Sequence, residues 1–155
     1  MKADIDNFDE VDFRQRVASN VSDDEVRVAI DALLSFAKGN ANGIKGGQSE
    51  YGSFHYQIDI INRTLTLFTV DGSGEVSVSL GNFVRRPPIV NGKAISNLRS
   101  TLAKIPGFDS FSKDYAERPG FTIAKTVVNP DVMIRFQTAI RRFQEDAQEY
   151  WKIPD

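Results

Sequence analysis

Between residues 53 and 83 apolar and polar residues alternate through two tight turn signals, a pattern that can bury one face only as an antiparallel sheet. Phe54, Tyr56, Ile58 and Ile60 alternate with His55, Gln57 and Asp59. A turn near Asn62-Arg63 leads into Thr64-Leu65-Thr66-Leu67-Phe68-Thr69-Val70. Asp71-Gly72-Ser73-Gly74 is a strong hairpin signal, and Glu75-Val76-Ser77-Val78-Ser79-Leu80 follows it. A first turn centred on Asn62-Arg63 sets Ile58 opposite Leu67 and Ile60 opposite Leu65. A second centred on Gly72-Ser73 sets Leu67 opposite Val78 and Leu65 opposite Leu80. Both registers gather one apolar set: Phe54, Tyr56, Ile58, Ile60, Leu65, Leu67, Val76, Val78 and Leu80. The other face then carries His55, Gln57, Asp59, Thr66, Phe68, Val70, Glu75, Ser77 and Ser79.

Helical periodicity flanks this meander. A short helix is expected over 8–19. Ser22-Asp23-Asp24-Glu25 fits a capping box opening a helix at about 23–38, with Val26, Ala29, Ile30, Leu33, Leu34 and Ala37 on one face and Lys38-Gly39 as its stop. Residues 39–52 read as a loop, with five glycines but neither phosphate-cradle spacing. Val84 to Gly92 forms a connection, because Pro87 and Pro88 cannot feed a ladder. Ile95, Leu98 and Leu102 mark a helix at about 94–104. Residues 108–120 are loop-like, anchored by Phe108, Phe111 and Tyr115, and 121–124 is a short extended stretch. Asn129-Pro130-Asp131 supplies cap, first-turn proline and acid for a final helix at about 130–151. The expected fold is therefore α+β: a three-stranded antiparallel meander at about 53–83, packed on one face by helices at about 23–38, 94–104 and 130–151. At 155 residues the chain reads as a single domain, 1–155, whose helical lead 1–21 packs loosely.

The order of these pieces resembles a family. Asp12-Phe13-Arg14 and Leu33-Leu34-Ser35-Phe36-Ala37 precede the Gly46-Gly47 loop and Gly52-Ser53-Phe54. Leu67-Phe68-Thr69-Val70-Asp71-Gly72 follows, then Leu98, Leu102, Ile105, Gly107 and Arg118-Pro119. This resembles a poorly characterised bacterial domain found at the ends of restriction-endonuclease-like and other DNA-processing proteins. The resemblance implies an accessory role beside nucleic-acid processing. Its landmarks are turn and core residues, so it brings no catalytic residue with it.

Composition removes several chemistries. With no cysteine there is no disulfide, no thiolate metal site and no cysteine nucleophile. The N-terminus lacks a signal-like apolar core, and no apolar run reaches bilayer length, so a cytoplasmic protein without membrane contact is expected. The net charge of −2 hides an asymmetry: residues 1–31 hold nine acids against four bases, and the remainder twelve against fifteen. That is far short of the basic footprint of a dedicated nucleic-acid binder.

Candidate site residues are few. His55 is the sole histidine, and alternation sets it with Gln57 and Asp59 on the face opposite the core. Phe68 among polar neighbours there would be a stacking platform for a base, unless a helix or the 108–120 loop covers it. Arg85, Arg86, Arg141 and Arg142, with Arg99, Arg118 and Arg135, could form a basic stripe. Equally, Arg141 and Arg142 have Glu145 and Asp146 at ion-pair spacing on one helix. No cofactor and no metal site is expected. The leading expectation is a non-catalytic binding or interaction module whose partner is a protein or nucleic acid. The alternative is a small hydrolytic enzyme using His55 and Asp59.

Overall fold

The computed structural model describes residues 4–6, 8–47, 49–60, 63–83, 92–112 and 118–150. Strand β1 (Asp4–Asp6) precedes helices α1 (Glu10–Asn20) and α2 (Asp24–Asn40). Strands β2 (Gly43–Gly46), β3 (Ser53–Ile60), β4 (Arg63–Asp71) and β5 (Glu75–Val78) follow. Helix α3 (Gly92–Ala103), strand β6 (Gly120–Thr122) and helix α4 (Pro130–Tyr150) complete the chain. The α+β class is as expected. The sheet is larger than a meander: six strands in the order β1-β2-β3-β4-β5-β6, antiparallel except for the β1–β2 pair.

The helix ends follow their local chemistry. Asp9 caps α1 by accepting from the Asp12 amide at 3.0 Å. Asp23, not Ser22, caps α2, taking the Glu25 amide at 2.9 Å. Gly39 does not stop α2, which runs on to Asn40. Asn129 accepts from the Asp131 amide at 2.9 Å, as its position before Pro130 led one to expect.

Inside the supposed 39–52 loop, Gly43–Gly46 pairs with β3 and sets Ile44 opposite Tyr56. A strand with one apolar residue among glycines carries almost no periodic signal.

Both expected registers are corrected: Ile58 faces Leu65 instead of Leu67, two residues off, and the second pairing is off by one, with Phe68 instead of Leu67 facing Val78. Tyr56 faces Phe68 and Gln57 faces Thr66, so Leu67 is an extra residue, a β-bulge. Beyond it, Phe68 faces Val78 and Val70 faces Val76. The bulge sacrifices about one ladder bond, worth roughly 0.5–1.5 kcal/mol net. Burying a Phe side chain contributes roughly 1.5–3 kcal/mol. The second term wins, and Leu67, Phe68 and Val70 are all fully buried. Phe68 and Val70 thus belong to the core face, a correction to their placement beside His55.

That core face is covered by helices through aromatic contacts. Phe13 of α1 meets Phe54 edge-on at 5.5 Å. Phe36 of α2 stacks on Tyr56 at 5.6 Å, and Phe136 of α4 meets Phe68 at 5.3 Å. Helix α3 packs chiefly against α4 and the 3-10 turn at Asp109–Ser112. Of the expected core set, Leu65 is partly buried and the rest are buried.

Candidate functional site

Strand register draws one lateral row of residues across the sheet. Lys45 pairs with His55, His55 with Thr69, Thr69 with Ser77, and Ser77 with Gly120. Adjacent strands lie ~4.8 Å apart, so successive members of the row are near neighbours. The parallel row one residue away, Ile44-Tyr56-Phe68-Val78, is the core row. The Lys45 row therefore points away from the helices. Lys45 is exposed, and His55, Thr69 and Ser77 are half-buried. Among the described residues no helix makes a ring contact or hydrogen bond to these side chains.

His55 is the centre of the row. Its Nδ1 lies 2.7 Å from Thr69 Oγ1. On the other side, Gly47 donates its amide to Ser53 O at 3.0 Å, and a Cβ at Gly47 would stand 3.1 Å from His55 Nε2. Partial burial, followed by the nearby charges of Lys45 and Arg118, holds the His55 pKa below its ordinary value. The imidazole is accordingly neutral at neutral pH. Among the described residues neither Lys45 nor Arg118 forms an ion pair.

The acids of this face are engaged elsewhere. Asp71 accepts from Ser49 Oγ at 2.6 Å and from the Ser73 amide at 2.8 Å. Glu75 accepts from Thr122 Oγ1, and Asp59 accepts from Thr64 Oγ1 at 2.8 Å. His55 and Asp59 thus have separate hydrogen-bond partners among the described residues.

The remaining candidates scatter. Phe68 sits in the core. Arg141 and Arg142 are both exposed on α4 but on different sides of it. Arg142 lines a groove of about 260 Å³ between α3 and α4 with Arg135, whereas the Arg141 charge reaches the Tyr56 hydroxyl. Neither is ion-paired with Glu145 or Asp146 among the described residues. Arg99 borders a separate cavity beside the 3-10 turn. Arg85 and Arg86 lie outside the described residues. Among the described residues, Arg99, Arg135, Arg141 and Arg142 therefore do not form one stripe.

Lys45 and Thr69 are the site residues that sequence reasoning missed; Arg118 was considered only as part of a basic stripe. The phase break in Leu65-Leu67 against Phe68-Val70 would have revealed the bulge, and with it the Thr69 pairing. Nothing local marks Lys45, which the β2–β3 register sets beside His55. Among the described residues no group of three or more His, Asp or Glu is disposed to hold a metal ion. No helix among them is long and apolar enough to cross a membrane. No protein family, curated protein or solved structure matches the chain.

Proposed function

We propose that this chain is a non-catalytic binding module whose partner is nucleic acid, engaged through the sheet face that the helices leave open. One observation carries the reading: Lys45 pairs with His55 across the strands of that face, beside the hydroxyls of Thr69 and Ser77, and has no carboxylate partner among the described residues. Unpaired cations beside hydroxyl donors suit phosphate oxygens. The net charge of −2 means attraction is local to this face rather than a property of the whole surface. The resemblance to domains at the ends of DNA-processing proteins favours nucleic acid over other polyanions.

Anisotropy titrations with short DNA and RNA at about 50 mM and about 200 mM salt test the reading, because phosphate contacts weaken steeply with salt. Binding should weaken as salt rises, and K45E and R118E should each reduce it. If R142E alone reduces binding, the interface lies on α4 and the open-face reading fails. Absence of binding at the lower salt would leave a protein as the partner.

A further inference from the structure

We infer that the groove between α3 and α4 binds a small free carboxylic acid, its apolar body on the groove floor and its carboxylate held by Arg142. The site lies among helices, apart from the open sheet face, and its test does not depend on nucleic-acid binding.

The groove encloses about 260 Å³. A cavity of about 150 Å³ holds benzene, so this one takes an apolar body of roughly six to ten carbons. Ala94 and Leu98 of α3 and Ala139 and Phe143 of α4 form an apolar floor, and all four are buried. Ile134 lines the same groove and is 61% exposed, so it presents apolar surface that an occupant would remove from water.

The polar edge follows from helix spacing. Arg135, Thr138 and Arg142 line the groove as one stripe of α4, each ~5–6 Å from the next at Cβ. Helical side chains lean toward the N-terminus, which carries Arg142 over the turn of Thr138 and away from Asp146, the one acid lining the groove. A carboxylate above Thr138 therefore meets a guanidinium fork and a hydroxyl donor.

A second groove supplies the comparison. Between α1 and α2, Arg14 and Arg27 border a groove of the same volume whose lining includes the buried Phe13, Val17 and Leu34. There the cations are neutralised from within, Arg14 by Glu10 and Asp31 and Arg27 by Asp24. Neither Arg135 nor Arg142 forms an ion pair among the described residues. Only the α3–α4 groove joins an apolar floor to cations without an acid partner, and an amphipathic carboxylate complements both.

The experiment follows amide chemical shifts of the isotope-labelled protein during titration with octanoate, octanol and octylammonium at neutral pH. Octanoate should bind about tenfold more tightly than octanol, the effect of one charge-assisted contact, and octylammonium most weakly. The shifts should centre on Leu98 and Thr138. R142M, a change at an exposed side chain, should lower octanoate to the octanol affinity and leave octanol unchanged. Acetate at equal concentration should not displace octanoate, because it lacks the apolar body. Octanoate binding no more tightly than octanol overturns the inference, as does displacement by acetate or an affinity that R142M leaves intact. Shifts centred on the α1–α2 groove also overturn it, because apolar volume alone then selects the site.

Discussion

Tyr56 on β3 and Phe68 on β4 stack across the strand pair, their centroids 4.8 Å apart and their planes 23° from parallel. That contact exists because Leu67 is set aside as a bulge. The same one-residue step brings Thr69 opposite His55 on the far face. Core aromatic order and site geometry are therefore two consequences of one irregularity.

Replacing Phe68 by alanine should cost about 3–5 kcal/mol, since the ring is fully buried between Tyr56 and Phe136. Urea melts followed by circular dichroism measure it. A loss within about 0.5 kcal/mol, the size of a surface change, would mean that the ring is outside the core.

Gln144 ties α4 to the sheet. Its Oε1 accepts from the Tyr56 hydroxyl, and its Nε2 donates to Asn40 O at 3.0 Å. Q144L should cost about 1–3 kcal/mol for each buried group left unpaired. In a double-mutant cycle Y56F and Q144L should couple by at least about 0.5 kcal/mol, and additivity would argue against the bond.

Burial raises the Tyr56 pKa well above its ordinary value, with only partial opposition from Arg141. The folded state then holds a proton that the unfolded state releases. Its stability is fully present below about pH 10 and is lost as pH rises beyond that. Ultraviolet titration should show one of the four tyrosines ionising only with unfolding, and Y56F should flatten the alkaline loss.

His55 behaves in the opposite sense. Burial, Lys45 and Arg118 lower its folded pKa, so the unfolded state binds the proton more readily. Stability should fall as pH drops below about 6.5, the unfolded value. H55Q should lessen that slope in chemical denaturation between pH 7.5 and pH 5. An unchanged slope would place its origin in other groups.

Two glycines make a matched test. A Cβ at Gly72 would stand 2.1 Å from the Tyr51 carbonyl oxygen, while one at Gly39, inside α2, meets nothing within 4 Å. G72A should cost about 1–3 kcal/mol because backbone must move. G39A should stabilise by about 0.5–1 kcal/mol, as alanine does in a helix interior. Thermal melts that gave both the same sign would refute the close approach at Gly72.

The helices from about 23, 94 and 130 were legible because each carries at least three apolar residues at helical spacing, and two begin at an acidic or amide cap. The alternation of β3 identified its buried side, and His55 was rightly placed opposite it. Strand β2 was not legible, since Ile44 alone among glycines has no period to read. The registers of the two hairpins were misread because turn residues do not alone fix the pairing and because the Leu67 bulge, invisible to a simple alternation, exchanges the faces of the rest of β4.

By itself the sequence determined the α+β class, the helix positions and which apolar residues must leave water, because those follow from periodicities within single segments. Tertiary structure decided which residues meet across segments. Lys45, His55 and Thr69 come from β2, β3 and β4, and only the sheet register brings them together. Phe68 entered the core, and Thr69 reached His55, because burying two adjacent apolar side chains outweighs one lost ladder bond. That balance is settled by what packs against both faces, and no single strand contains that information.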